Sequence, residues 1–360
     1  MTAAAHWGDA MTLRRAFVSG ALTFAALAPI AMACGWSDPP ATVAPDDAAT
    51  EKTPPPKPDS GIGGPEKLSE TGLYADIATR TLAPGVTEFD VRYPLWSDGS
   101  EKRRFLFLPD GAKIDTANMD FWDFPAGTKA WKQFIKSGKL VETRLLWKKP
   151  DGQWFEMAYA WRDDETDAIA APTGVKAARG TTHDIPEQVK CKVCHDNVAD
   201  TLIGLDPFQL SDGKGTGFLT TLAKAGRLTV PPPGEFEIPG TGTVKGALGY
   251  LHGNCGGCHN DNAKFEGQTT MRLRVLTSET TVDKTGVYRT AFGLKMVHEI
   301  PPDVFDALVP GDPGKSGIFV RMARRDGYGM PPQCTKEVDI VGSTLIKDWI
   351  TGMSTDAGSD

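Results

Sequence analysis

The stretch that decides the fold is LHGNCGGCHN, at residues 251–260, and it contains the pattern C-x-x-C-H. The same pattern occurs once more, at residues 191–195. Two thiols three positions apart reach the two vinyl groups of one haem, and the histidine directly after the second thiol is placed under the iron as its proximal ligand. The sequence therefore predicts two covalently bound haem c groups. Their attachment and ligand residues are Cys191, Cys194, His195, Cys255, Cys258 and His259.

Other uses of paired cysteines stay open. Two C-x-x-C units can form one structural zinc site, but its halves usually lie about 15–20 residues apart. Cys194 and Cys255 are much farther apart than that. A four-cysteine zinc site also has no need of a histidine after each pair. The spacing therefore favours haem over a zinc site or a reversible dithiol.

Length and charge limit the function further. The chain has 360 residues and 40% hydrophobic content, which is enough for two packed domains. It carries 39 Lys and Arg against 46 Asp and Glu. A nucleic-acid backbone calls for a basic face, so nucleic acid is not an expected partner.

The first residues indicate export. A short basic region, Leu13-Arg14-Arg15, precedes an apolar run that ends just before Cys34. Residues 1–33 are predicted to be a signal peptide of the lipoprotein type, with Cys34 as the lipid-bearing residue. Simple secretion is the alternative, and a retained membrane helix is disfavoured because the run is short for a span of ~20 residues. Residues 34–67 are rich in Pro, Asp and Ala, which predicts a flexible tether.

Residues 68–230 are predicted to form a β-rich domain that ends in the first haem site. Residues 68–79 have the spacing of a short helix, and residues 105–108 form an apolar run before a turn. Two β-branched and aromatic stretches within residues 140–161 predict a hairpin, joined through Lys149-Pro150-Asp151-Gly152.

Strands followed by C-x-x-C-H resemble the small monohaem cytochromes of the hydroxylamine-oxidising type. The resemblance is carried by Phe124-Pro125-Ala126-Gly127-Thr128, by Lys132 and by residues 190–195. It implies a haem set against an antiparallel sheet, with Lys132 at the position of a lysine that is cross-linked to the haem. A solvated lysine on a strand is the simpler interpretation of Lys132.

Residues 243–353 are predicted to be an all-α domain. Val244, Leu248, Leu251 and Cys255 share one face of a helix that leads into the second motif. Further helices are predicted from Ser316 and across residues 338–350. The loop Gly329-Met330-Pro331-Pro332 lies between them, a layout that resembles small His/Met cytochromes c. The resemblance implies Met330 as the sixth ligand of the second iron, with Met322 and Met353 as alternatives.

The sixth ligand of the first iron stays open, and so does an open coordination position. His183, just before the first motif, and Lys132 are the predicted pocket residues. The other candidates are His252, His298, Met119, Met157, Met271 and Met296. Cys334 is left over; we expect a buried, inert thiol near the second haem, with thiolate ligation as a minor alternative.

As a whole, the chain resembles bacterial exported dihaem c-type cytochromes, which are often lipoproteins. The match is carried by Tyr93-Pro94-Leu95-Trp96-Ser97-Asp98-Gly99, by residues 124–128, by the first motif and by residues 250–255. The predicted fold class is α+β, with a β-rich haem-bearing domain followed by an all-α cytochrome c-like domain. The predicted role is electron transfer to redox partner proteins in the cell envelope, on the periplasmic or outer surface of a membrane. An oxidoreductase acting at an open first haem, or a sensor module, are the alternatives, and no catalytic residue is assigned.

Overall fold

A computed structural model describes residues 62–264 and 269–354 of the chain. All of them fall within one unit, Lys57–Asp360. The predicted signal peptide, Cys34 and most of the predicted tether lie outside the described residues. The predicted domain limits at residues 68–230 and 243–353 stay predictions.

The dominant element is a six-stranded sheet whose strands follow one another in chain order, each antiparallel to the next. A small hairpin, β1 and β2, precedes it. The strands are β1 (Tyr74–Asp76), β2 (Thr81–Leu82), β3 (Val86–Phe89), β4 (Glu101–Phe107), β5 (Lys129–Lys136), β6 (Lys139–Lys148), β7 (Trp154–Trp161) and β8 (Ala168–Ala170). The predicted hairpin in residues 140–161 is confirmed as β6 and β7. The helix predicted at residues 68–79 is wrong, because Gly72, with φ +84°, ends a single 3-10 turn before β1.

The sheet has an apolar face and a charged face, as the twofold period of strands requires. Phe105, Trp131, Leu145 and Met157 lie opposite one another across β4 to β7 and are buried. The neighbouring position on each of β4, β5 and β6 carries Arg104, Lys132 and Arg144. The first C-x-x-C-H motif lies on this charged side, since Lys132 and Arg144 act electrostatically on His195.

Seven α-helices are found in the described ranges. They are α1 (Cys191–His195), α2 (Pro207–Leu210), α3 (Phe218–Lys224), α4 (Gly242–Asn254), α5 (Gly286–Thr290), α6 (Gly317–Met322) and α7 (Ile340–Thr351). α4, α6 and α7 confirm the helices predicted before the second motif, from Ser316 and near the C-terminus. They share an apolar cluster that includes Leu248, Leu251, Ile346 and Trp349. None of the helices in the described part is both long and apolar enough to cross a bilayer.

The predicted all-α C-terminal domain is wrong. Strands β9 (Lys295–Ile300) and β10 (Val304–Asp306) form an antiparallel hairpin inside it. The turn is made by Pro301-Pro302-Asp303, and Ile300 faces Val304 with both side chains buried. Spacings of three and four identify helices, but β9 and β10 are short, so this hairpin left no clear period in the sequence.

Candidate functional site

The first motif forms the short helix α1. Cys191, Cys194 and His195 stand at positions i, i+3 and i+4, so they share one face of that helix. The Nδ1–H of His195 donates to the carbonyl oxygen of Thr201 at 2.6 Å. Thr201 adopts φ +63°, a conformation that costs about 1–3 kcal/mol for such a residue. The turn therefore fixes the ring of His195 at some cost in backbone strain.

His195 is held in the form that binds a metal. Burial lowers its pKa to about 4, and Lys132 and Arg144 lower it too, against the opposing effect of the Thr201 carbonyl. A carbonyl oxygen can only accept, so the ring proton sits on Nδ1. The neutral ring leaves the Nε2 lone pair free, and such a bond from the other nitrogen is typical of metal-binding histidines.

The second motif begins where α4 ends. The amides of Cys255 and Gly256 both donate to the carbonyl of Leu251, at 2.8 and 2.9 Å. The amides of Cys258 and His259 then both donate to the carbonyl of Cys255, at 3.0 and 2.8 Å. A Cβ on Gly256 would lie 2.6 Å from a backbone oxygen. The motif is therefore a tight turn in which glycine is required at position 256.

His259 is held differently from His195. Burial lowers its pKa, and the backbone of Met271 acts in the opposite direction. Its Nδ1 is nevertheless buried without a hydrogen bond of full geometry in the described chain. The ring of the second motif is thus less tightly oriented by its surroundings than the ring of the first.

The two motifs meet in space. The thiols of Cys194 and Cys258 interact directly, and this interaction lowers the pKa of Cys194 to about 7 and raises that of Cys258. Burial raises the pKa of both Cys191 and Cys255 to about 12. The structure therefore brings together all six predicted attachment and ligand residues, from two distant parts of the chain.

These six side chains lie deep but are not sealed. Each keeps a partly accessible surface, although burial acts on the pKa of every one of them. The six side chains are therefore half-buried. Paired thiols with a neutral imidazole directly after them are the groups that covalent haem c requires.

Lys132 lies half-buried beside the first motif. It keeps some accessible surface, but burial lowers its pKa well below 10.5, and the cations Arg104, Lys102 and Arg144 lower it further. Its charge acts on both Cys194 and His195. The cross-link implied by the resemblance stays a prediction.

The two buried histidines outside the motifs have partners for both ring nitrogens. His183 Nε2 lies 2.8 Å from Glu142, and its Nδ1 lies 3.2 Å from the hydroxyl of Ser100. His252 Nε2 lies 3.1 Å from Asp206, and its Nδ1 accepts from the amide of Val275 at 3.1 Å. Both rings thus link neighbouring segments.

The other predicted ligands of the first iron are dispersed. Met157 lies on the apolar face of the sheet, and Met119 packs in the cluster around Trp122. Met271 packs against the α4 and α7 cluster. His298 is exposed on β9 and Met296 is half-buried there. None of these side chains is brought beside Cys194 as Lys132 is.

Met330 is fixed through its backbone. Its amide donates to the carbonyl of Arg321 at 2.9 Å, and Arg325 donates to its carbonyl at 3.1 Å. Its half-buried side chain belongs to none of the apolar clusters of the described chain. Met322 is buried in the α4 and α7 cluster, and Met353 packs against that cluster. The two alternatives are therefore used in packing, whereas Met330 is not.

Cys334 is exposed, contrary to the expectation of a buried thiol. It adopts φ +64° in the loop after Met330. The surrounding protein still raises its pKa, and its charge interacts with Arg144 and Cys194, next to the first motif. Two residues on, the amides of Lys336 and Glu337 donate to the carboxylate of Asp98 at 3.0 Å. The Met330 loop is thereby tied to the segment that precedes β4.

Two sequence stretches that carried the resemblance pack on each other. Tyr93 packs against Gly249 and Gly253 of α4. A Cβ on Gly249 would lie 2.1 Å from the Tyr93 ring, and a Cβ on Gly253 would lie 2.3 Å from the Tyr93 carbonyl oxygen. The amide of Trp96 donates to the side chain of Asn254 at 2.6 Å. Residues 93–96 therefore support the helix that delivers the second motif.

Asp206 is a residue that sequence analysis missed. Its side chain caps α2 by accepting from the amides of Phe208 and Gln209, and it also pairs with His252. Burial alone would raise its pKa, but His252 and Arg274 hold it well below its usual range. An Asp before Pro207 is a helix-start signal, so its cap was recognisable, whereas its partner on α4 was not.

A separate cavity of about 320 Å³ lies beside the second motif. It is lined by charged side chains that pair with one another, such as Arg272 with Asp261 at 2.6 Å and Arg289 with Glu279 at 2.7 Å. The attachment residues of neither motif line it.

Within the described ranges, no three His, Cys, Asp or Glu side chains are grouped as a metal-ion site. A haem iron needs no such group, because it takes only one or two ligands from the protein. Comparison of the chain with protein-family models, curated proteins and solved structures gave no match.

Proposed function

We propose that the chain is a dihaem c-type cytochrome that transfers electrons in the bacterial cell envelope. The observation that carries the proposal is the direct interaction between Cys194 of the first motif and Cys258 of the second. Groups attached through neighbouring thiols are held next to each other. Adjacent one-electron centres exchange electrons readily, as a transfer protein requires.

Haem c supplies the one-electron centre, and the protein tunes it by ligation, hydrogen bonding and burial. In the first site, Cys191 and Cys194 are the attachment residues and His195 is the proximal ligand. The carbonyl of Thr201 orients the ring of His195 and increases its basicity. In the second site, Cys255, Cys258 and His259 have the same roles.

Met330 is the sixth ligand of the second site in this proposal. Its backbone is anchored at Arg321 and Arg325, and its side chain is not used in a packed cluster. Methionine is more often a gap-filler in a core, and Met322 and Met353 fill that role here. A thioether ligand raises the reduction potential.

The location in the cell envelope rests on residues 1–33 as a signal peptide and on Cys34 as a lipid anchor. Residues 34–67 would hold the folded part away from the membrane surface. The redox partners are proteins that the chain meets there, with no role for nucleic acid.

A second function is an oxidoreductase that acts on a small molecule at an open first haem. One observation favours it: two cations, Lys132 and Arg144, act on His195, and the carboxylate of Asp196 opposes them. Polar, cationic surroundings are better suited to binding a substrate than to electron transfer alone. In that case Lys132 binds the substrate, and His183 positions Glu142 behind it.

The test is production of the full chain with a cytochrome c maturation system, followed by intact mass and haem quantification. The wild type should carry two covalent haems. The pair Cys191→Ala and Cys194→Ala should remove one, and the pair Cys255→Ala and Cys258→Ala should remove the other. Cys334→Ser is the matched control and should retain both.

Cyanide or carbon monoxide then separates the two functions. Inertness of both haems supports electron transfer, and rapid binding at the first haem alone supports the oxidoreductase. A colourless wild-type protein that binds zinc, or that forms a reversible disulfide, would contradict both.

A further inference from the structure

Three cations lie directly opposite one another on adjacent strands. Arg104 on β4 pairs in register with Lys132 on β5, and Lys132 pairs with Arg144 on β6. Like charges at directly opposite positions of a sheet destabilise it. We call these three residues the cationic row. Such an arrangement is stable only if negative charge lies against it.

The described protein supplies too little negative charge for this row. Glu142 forms a bidentate ion pair with Arg144, accepting from Nε at 2.6 Å and from Nη2 at 3.0 Å. The same carboxylate also binds His183. It is therefore fully engaged at one end of the row.

The other two cations have no carboxylate at ion-pair distance among the described residues, although Asp90 acts electrostatically on Arg104 and Glu142 on Lys132. Arg104 is only 9% exposed, and its buried Nη2 has no hydrogen-bond partner in the described chain. The nearest aromatic contact of Lys132 Nζ is the Phe134 ring, 5.8 Å from its centroid. Within residues 62–264 and 269–354, no carboxylate lies at ion-pair distance from it. A buried guanidinium nitrogen without a partner is costly, because it has lost its hydrogen bonds to water.

The row faces the first motif. The charges of Lys132 and Arg144 act on Cys194 and on His195. The neighbouring Lys102 on β4 is already engaged by the carbonyl of Leu95. The unmatched positive charge therefore lies next to the attachment residues of the first motif.

We propose that the cationic row binds a carboxylate or a small oxyanion beside the first motif. Arginine presents two parallel N–H donors that match such a group, and lysine adds a point charge. The anion has two possible sources: the propionate groups of the haem bound at Cys191 and Cys194, or a free anion from solution. Because all three cations lie on the sheet, the proposed anion binding by the cationic row does not depend on the proposed haem function.

The experiment compares the wild type with Arg104→Gln, Lys132→Met and a matched control, Arg103→Gln. Arg103 is the next residue on β4, but it faces the other side and pairs with Glu88 at 2.7 Å. Lys132→Met removes a buried charge from a row of like charges, so it should fold at least as well as the wild type. Haem content is measured first. Sodium formate is then titrated by calorimetry at constant ionic strength.

Formate binding that weakens at least tenfold in Arg104→Gln and Lys132→Met, but not in Arg103→Gln, supports the row with a free anion as its ligand. If formate does not bind, redox-induced infrared spectra of protein with ¹³C-labelled haem carboxylates test whether the row binds the propionates. Carboxylate bands that shift only in the two row variants support the propionates. Equal formate binding in all four proteins, or no binding together with unchanged bands, overturns the inference. A colourless protein contradicts the proposed function. In that case the formate titration still tests whether the cationic row binds an anion.

Discussion

The two C-x-x-C-H motifs lie side by side but in different surroundings. The first is a five-residue helix against the charged face of the sheet. The second ends a 13-residue helix within the apolar cluster of α4, α6 and α7. His195 has a carbonyl partner at 2.6 Å, whereas Nδ1 of His259 has no full hydrogen bond among the described residues. The same five-residue pattern thus lies in two different surroundings, and in the proposed function these surroundings set the properties of each centre.

This difference has a direct consequence for the proposed haems. A hydrogen bond donated by Nδ1–H makes a histidine a more basic ligand, which would stabilise an oxidised iron at the first site. A thioether from Met330 has the opposite effect at the second site. We therefore expect the second haem to have the higher reduction potential.

Met330→His should have the largest effect on this comparison. It replaces the proposed thioether, so the near-infrared sulfur-to-iron band should disappear completely. The potential of the second haem should fall by a part of the roughly 0.8 V range that axial ligands set. Near-infrared absorption and a redox titration measure both.

Met322→Leu is the control for Met330→His, because Met322 is a core residue of the same loop-helix region. It should keep the band and both potentials. A band that survives in Met330→His would remove Met330 from the second site.

Asp206→Ala should lower the free energy of unfolding by about 3–5 kcal/mol, because it leaves His252 and Arg274 without their buried partner. The pKa of Asp206 is held below its usual range. Its contribution is therefore present above about pH 4 and is lost as the pH falls through the folded-state pKa. Denaturant titrations at several pH values measure this.

The exposed Asp110→Ala serves as the control for Asp206→Ala and should change stability little. Equal stabilities of the two variants would mean that Asp206 does not link α2 to α4.

Glu156→Gln tests the polar surroundings of Cys191, because the charge of Glu156 acts on that thiol. Burial raises the pKa of Glu156 to about 7 from 4.5, and its Oε2 has no partner in the described chain. The folded protein therefore favours the protonated acid, an advantage that is complete below about pH 4.5 and lost as the pH rises to about 7. Relative to the wild type, the free energy of unfolding of the variant should be higher by up to about 3 kcal/mol at pH 8 and unchanged at pH 4.

Glu101→Gln, exposed on β4, should show no such pH dependence. If Glu156→Gln and Glu101→Gln follow the same stability profile, Glu156 is ionised at little cost and the site is more hydrated than its burial indicates.

Gly253→Ala should have the smallest of these effects. The free energy of unfolding should fall by about 2 kcal/mol, because the new Cβ would collide with the carbonyl oxygen of Tyr93 and displace residues 93–96 from α4. The effect should be confined to the second haem, and thermal unfolding with visible spectroscopy measures it. Gly234→Ala, which meets nothing within 4 Å, is the control. A loss that affects the first haem equally would contradict the separation of the two sites.

Local patterns predicted much of the fold. The hairpin β6 and β7 and the helices α4, α6 and α7 follow from alternation, turn residues and apolar spacing. The short hairpin β9 and β10 was missed, because three- to six-residue strands leave no clear period. The helix predicted at residues 68–79 failed because apolar spacing outweighed Gly72 in that prediction.

The candidate site was predictable only in part. The six motif residues are identified by local order, and the structure places them together. The cationic row is not, because Arg104, Lys132 and Arg144 become neighbours only through strand register. Likewise, the roles of His183 and His252 depend on Glu142 and Asp206, which are distant in sequence.

The central claim is that two covalent haems are held next to each other. Electron paramagnetic resonance of the oxidised protein tests it most directly, in comparison with the two variants that each lack one pair of motif cysteines. We predict wild-type signals broadened by magnetic interaction between two ferric haems, and a simple single-haem signal in each variant. A wild-type spectrum equal to the sum of the two variant spectra, or one without any haem signal, would contradict the claim.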